Sequence, residues 1–177
     1  VEMASPTNEF YRNLFASEGT TGTDTVLNVV PVKVTNAMNM LLTAPYTGDE
    51  VKKALFQMYP TKAPGPDGYP THFFHRHWEL CGVEVTNVVL RILRGEESPE
   101  VINEMILVLI LKVKEPTYLS QFRPISLCNV LYKIASKVLS NRLKQILPDI
   151  ILEEQLAFVP GRLVTDNIIT AYECLHF

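Results

Sequence analysis

The chain has 177 residues, with 16 Lys and Arg against 19 Asp and Glu for a formal net charge of −3, and it is 47% hydrophobic and 20% charged. That length suits one domain of ordinary size or one domain with a tail, and the composition excludes a disordered or low-complexity chain. The longest apolar run, Met105–Leu111, falls far short of the ~18 residues a membrane-spanning helix needs, so no membrane partner is expected.

Taken in order, residues Ser5 to Ser17 predict a short helix. Ser5 can cap it, Pro6 suits its first turn, and Phe10, Leu14 and Phe15 form an apolar stripe. Glu18 to Val26, rich in Gly and Thr, reads as a linker, and residues 27–45 carry no clear pattern. A new unit starts at Thr47. Thr47 and Glu50 have capping-box spacing, and Val51, Ala54, Leu55 and Met58 follow on one helix face that ends before Pro60. The boundaries expected are therefore 1–46 for a leading helix and linker and 47–177 for the main domain.

Thr61 to Pro70 contains three prolines and two glycines and predicts a stiff, exposed loop with few backbone donors. Helical patterns cover Thr71 to Leu80 and Val83 to Arg94, separated by Gly82, with Gly95 at the left-handed position after the second. Met105 to Val113 reads as a buried strand and Phe122 to Leu127 as its hairpin partner, with Lys114, Glu115, Pro116 and Thr117 at the tip. A long amphipathic helix follows, with apolar residues at Val130, Leu131, Ile134, Val138, Leu139, Leu143, Ile146 and Leu147, closed by Pro148. Pro148 to Glu154 is a turn, Ala157 to Arg162 a tight loop, and Thr165 to His176 a final helix with Ile168, Tyr172 and Leu175 on one face. The fold class expected is α+β, mostly helical, with a small antiparallel β-hairpin. The first residue is Val1 and the last helix lacks a polar end, so the chain is expected to be an excised piece of a longer protein.

Charge is unevenly spread. Lys112, Lys114, Arg123, Lys133, Lys137, Arg142 and Lys144 share the interval 112–144 with a single acid, Glu115, so this stretch holds a net +6. Lys133, Lys137 and Lys144 share one face of the long helix, with Arg142 beside them. Such a localised field suits a phosphate-bearing partner, and a solvated helix face is the plain alternative. Arg123 stands inside a short apolar strand, where a charge must meet a partner or a ligand. Its planar fork can pair two phosphate oxygens, with Lys112 converging from the paired strand, or it can pair with a glutamate of the chain.

Catalytic and metal-binding patterns are missing. No signal peptide is visible, and Cys81, Cys128 and Cys174 form no C-x-x-C, which favours buried thiols in an intracellular, reducing compartment. His72, His75 and His77 lie close together without a matching carboxylate or cysteine cluster and read as a polar helix surface beside Trp78. Asp67, Asp149 and Asp166 sit at loops and helix starts, where turn and capping roles account for them. No phosphate-binding glycine loop, nucleophile elbow or strand-borne carboxylate pair is present.

Several motifs together resemble the N-terminal part of non-LTR (LINE-type) retrotransposon reverse transcriptases, especially the plant type. They are K-A-P-G-P-D-G (Lys62 to Gly68), Phe73 and Phe74 followed by Trp78, L-I-L-K-V-K-E-P (Leu109 to Pro116), and F-R-P-I-S-L-C-N-V-L-Y-K-I (Phe122 to Ile134). S-K-V-L-S-N-R-L-K (Ser136 to Lys144) and Q-L-A-F-V-P-G-R-L-V-T-D-N (Gln155 to Asn167) complete the series. Leu111, Leu156 and Met105 depart from the residues usual in the family. The resemblance covers about residues 47–177 and implies a truncated polymerase domain holding the fingers and the start of the palm. It implies that Lys112 and Arg123 hold the triphosphate of an incoming dNTP. It implies that the loops carrying Lys62 and Arg162 lie near an RNA template and DNA primer, and Lys114, Lys133, Lys137 and Lys144 of the basic interval join them as the expected nucleic-acid-binding residues. The magnesium-binding aspartates of the family lie further along, so this chain is expected to bind no metal and to be inactive alone, with the rest of the palm and the thumb missing. A non-enzymatic RNA-binding module, or a relic of a mobile element without function, is the alternative.

Overall fold

A computed structural model describes residues 4–17, 19, 21–29, 31–152, 155, 159, 161–163, 165, 168–169 and 172–174. The elements are α1 (Ala4–Phe15), α2 (Thr23–Leu27), α3 (Asn36–Thr43), α4 (Gly48–Phe56), α5 (Thr71–Arg76), α6 (Trp78–Leu93), β1 (Met105–Leu111), β2 (Phe122–Cys128) and α7 (Val130–Ile150). The fold is mostly helical α+β with one antiparallel two-stranded sheet, as expected. The Asp166, Leu175 and His176 positions, and half of the expected loop 157–162 and helix 165–176, lie outside the described residues. Chain contacts divide it into two units, one from residues 1–31 and 106–127, the other from 32–105 and 128–177.

The larger unit is built on α4, α6 and α7. Its capping box forms as the spacing predicts: Thr47 Oγ1 accepts from Glu50 N–H at 3.3 Å and Glu50 Oε2 accepts from Thr47 N–H at 2.9 Å. The apolar face of α4 then buries Val51, Ala54 and Leu55 against Val85 and Val89 of α6 and Val130, Ile134 and Val138 of α7. Each aliphatic side chain so buried contributes about 1.5–3 kcal/mol. Helix α6 starts at Trp78 and runs through Gly82, which was expected to separate two helices. Gly82 is buried, and a Cβ there would stand 2.7 Å from the Trp78 ring, so the glycine admits a close aromatic contact within the helix. The break comes instead at His77, between α5 and α6. Gly95, at φ 75°, ends α6 as expected.

Four further points in this unit add to or depart from the expectations. The unassigned stretch 27–45 contains α3, capped by Thr35, whose Oγ1 accepts from Met38 N–H at 3.2 Å. Helix α7 passes through Pro148 to Ile150, because the proline removes one donor and Ile151 N–H resumes the bonding to Leu147 O at 3.0 Å. Along α7 the buried line is Val130, Ile134, Val138, Arg142 and Ile146, while Leu139 and Leu143 are exposed. An arginine therefore occupies a place in the apolar line. His75 is not on a polar surface: its ring stacks on Phe56 at 4.8 Å and its Nε2 meets Leu55 O at 2.9 Å.

The smaller unit holds α1, α2 and the hairpin. Part of the expected linker is the short helix α2. Tyr11 of α1 is buried, edge-on to Phe10, while Leu14 and Phe15 of the expected stripe are exposed. Strand β1 is the main correction here. Every residue of it except Leu109 is exposed, because a two-stranded ribbon presents apolar side chains on both faces without enough neighbours among the described residues to cover them. Lys112 N–H donates to Gln121 O at 2.8 Å, which puts Ile110 opposite Arg123 and Leu109 opposite Pro124. In that register Pro124 occupies a non-hydrogen-bonded position, so its missing N–H costs the ladder nothing.

Of the cysteines expected to be buried, Cys81 and Cys128 are half-buried and Cys174 is exposed. Among the described residues no helix is long and apolar enough to cross a membrane.

Candidate nucleic-acid interface

The Pro- and Gly-rich loop is not a free tether. Its chain turns tightly, with Gly68 N–H donating to Gly65 O at 3.1 Å and Asp67 Oδ1 accepting from Tyr69 N–H at 3.1 Å. The turn docks on the start of α7 at three points. Asn129, the residue before the helix, accepts from Asp67 N–H through Oδ1 at 3.3 Å, and Lys133 Nζ donates to Ala63 O at 2.8 Å. Gly65 lies flat between them. A Cβ on Gly65 would collide with the backbone of Cys128 and with Asn129, so only glycine allows the approach. The prolines on either side restrict the loop before it docks, which lowers the entropy cost of ordering it.

This docking places Lys62 on the exposed part of the loop, in the same unit as the lysine stripe of α7. Lys133 and Lys137, one turn apart, are half-buried, and Lys144, two turns further, is exposed. Lys133 has a structural duty as well, through its bond to the Ala63 carbonyl.

Arg142, grouped with these lysines by charge, is an interior residue, 5% exposed. Its Nε donates to Glu50 Oε1 at 2.7 Å and one Nη to Glu50 Oε2 at 2.9 Å. The remaining N–H groups donate to the carbonyls of Leu42, Ala44 and Pro45, and the guanidinium lies 3.9 Å from the centre of the Tyr46 ring. The Glu50 carboxyl is held below the ordinary range, chiefly by its hydrogen bonds from Arg142, and Arg142 is pushed up by the same bonds against the opposing effect of burial. A guanidinium with all this fork occupied has no capacity for phosphate. The missed signal was positional: Arg142 lies four residues from Val138 and four from Ile146 in the buried line.

The hairpin cations belong to the smaller unit. The register sets Lys112 and Arg123 on one face of the ribbon, diagonally across the two strands. Lys112 Nζ donates to Ser120 O at 2.8 Å, while Arg123 is exposed and forms no ion pair among the described residues. Lys114 is exposed in the connection, which Gln121 organises by accepting through Oε1 from Thr117 N–H at 2.6 Å and Tyr118 N–H at 3.1 Å. Arg162 donates to the carbonyls of Leu152 and Gln155 and so closes a local turn. Among the described residues no three His, Cys, Asp or Glu side chains converge as a metal site would require.

No protein-family model matches the sequence. A comparison with known proteins gives a clear relative: 170 residues, 95% of the chain, align at 32% identity with the Transposon TX1 uncharacterized 149 kDa protein of Xenopus laevis. The chain is similar to a segment of a transposon protein. It spans 13% of the length of that relative. The aligned stretch takes in both the docked loop and the lysine-bearing helix.

Proposed function

We propose that this chain is the fingers-type portion of a LINE-type reverse transcriptase, and that it binds template and primer through the loop 62–68 and the lysine face of α7. The observation that carries this reading is the docking of a glycine-proline loop onto the start of a cationic helix. Gly65, Asn129 and Lys133 turn two remote segments into one rigid surface bearing Lys62, Lys133, Lys137 and Lys144. Such a surface recognises a phosphate backbone through its charge and fixed spacing. Lys112 and Arg123, on one face of the hairpin, suit the triphosphate of a dNTP, and the fork of Arg123, unpaired among the described residues, is the stronger of the two anchors. Primer extension would further require magnesium ions, which carboxylates would hold and which would supply charge stabilisation for phosphoryl transfer, and the motifs above leave no candidates for those carboxylates. The 177 residues therefore bind without extending.

The test is a fluorescence-anisotropy titration with an RNA template annealed to a DNA primer across a range of salt. Affinity should fall steeply with salt, and replacing Lys133, Lys137 and Lys144 by alanine should reduce the slope by about 2–3. A salt response that is flat in the unsubstituted chain would refute the reading. Measurable primer extension with magnesium and dNTPs would refute the inertness.

A further inference from the structure

An open cleft of about 350 Å3 lies between α4 and α7, within the larger unit. The Arg142–Glu50 pair lies at its base and Val138 supplies an apolar wall. Its rim carries three amides, Gln57, Asn141 and Gln145, together with Lys53. The amides are only partly satisfied by one another. Asn141 Nδ2 donates to Gln57 Oε1 at 2.9 Å, and Gln145 Nε2 donates to Asn141 O at 3.4 Å. This leaves Gln57 Nε2 as a donor, and Asn141 Oδ1 and Gln145 Oε1 as acceptors, without protein partners among the described residues.

That inventory selects among ligands. A phosphodiester offers only acceptors: Lys53 and Gln57 could donate to it, but it would leave the oxygens of Asn141 and Gln145 without donors. A group with donors and acceptors along one planar edge satisfies both kinds of atom, and a nucleobase is such a group. The volume is near the lower end of small-ligand pockets, roughly 300–1,000 Å3, and suits one base rather than a longer stack. Position agrees: Asn141 stands one helical turn from Lys137, and Gln145 adjoins Lys144, so cations flank the cleft along the same helix.

We infer that the α4–α7 cleft receives one unstacked base of a single-stranded nucleic acid, held by Gln57, Asn141 and Gln145 while Lys137 and Lys144 meet the adjoining phosphates. The inference rests on the nucleic-acid reading above and adds to it a base contact, where the loop and lysine stripe supply backbone contacts. Base-edge contacts and unstacked bases are how single-stranded RNA is distinguished from a mere polyanion.

Two fluorescein-labelled oligomers of equal length separate the contributions: an oligouridylate, and an abasic strand with the same phosphates. The unsubstituted chain should bind the oligouridylate about tenfold more tightly. Asn141→Ala and, separately, Gln57→Ala should erase that preference and leave the salt slope unchanged. Lys144→Ala should lower the slope and retain the preference. Circular dichroism melts of each variant identify any that has lost its fold, and the two amide variants stand in for one another. Equal binding of both oligomers by the unsubstituted chain, with a normal salt slope, overturns the cleft assignment and leaves the broader reading intact. A preference that survives both amide substitutions also overturns it. Failure to bind either oligomer overturns the cleft assignment, and the titration with the annealed template and primer then decides the broader reading.

Discussion

Replacing Arg142 by alanine withdraws five hydrogen bonds at once, two from Glu50 and three from the carbonyls of Leu42, Ala44 and Pro45. The carbonyls and one carboxylate are then left in a partly dry setting, and breaking a buried pair in this way costs about 3–5 kcal/mol. Urea unfolding should show that loss, and Arg142→Lys should recover little of it, since an ammonium cannot reproduce the planar fork. The pH dependence follows from the same pair. The Glu50 carboxyl is lowered in the folded chain from its ordinary 4.5, so its contribution is present above that value and is lost as pH falls through the lower folded value. The melting temperature should therefore drop on acidification below about pH 4.5. That drop should shrink in Glu50→Gln, measured by circular dichroism. Gly65 is the second residue on which much depends. Gly65→Ala inserts a methyl group where the Cys128 and Asn129 backbone already lies, which costs about 1–3 kcal/mol or undocks the loop. Its effect on RNA affinity should exceed that of Gly68→Ala, whose site is open, even though Gly68 has the positive φ.

At the scale of elements, the helices of the larger unit and the ribbon of the smaller one differ in how their apolar residues are used. Val51, Leu55, Val89, Val130 and Ile134 are fully buried, whereas most of β1 is exposed. A two-stranded sheet is marginal by itself in water. Amide hydrogen exchange should accordingly be fast in β1 and β2 and slowest in the middle of α4 and α7, and comparable protection in both would contradict this contrast. The same elements show what was legible beforehand. The Thr47–Glu50 box and the face of α4 were readable because the signals lie within three or four residues. The hairpin itself was readable from two apolar runs on either side of a polar tip, whereas its register emerged only from the Lys112–Gln121 bond. Helix α3 was not readable, since Met38 stands where a capping box has an acid, none of its residues is buried, and part of its worth lies in the Leu42 carbonyl it offers to Arg142. Gly82 misled because a tertiary contact with Trp78, rather than a break, explains it. The burial of β1 was overestimated because periodicity reports a demand for cover without showing that the cover is there. For the candidate site, the sequence located the lysine stripe and the loop, and left Arg142 on the wrong side of the helix.

For the whole molecule, α7 is the organising part of the larger unit. Near its start it holds a carbonyl 70 residues earlier in the chain, and further along a carboxylate 92 residues earlier. Contacts of such range require large loops to close before they return any stability, so this unit should fold more slowly than a helical bundle with local contacts. They have another consequence. The exposed Val113–Glu115 stretch can be severed without parting the molecule, because helices from before the cut and α7 from after it share one apolar interior. A chain nicked there by a protease should travel as a single particle through gel filtration and separate into two pieces only when denaturant is added. What looks like one continuous thread is, in its larger unit, a clasp of two halves.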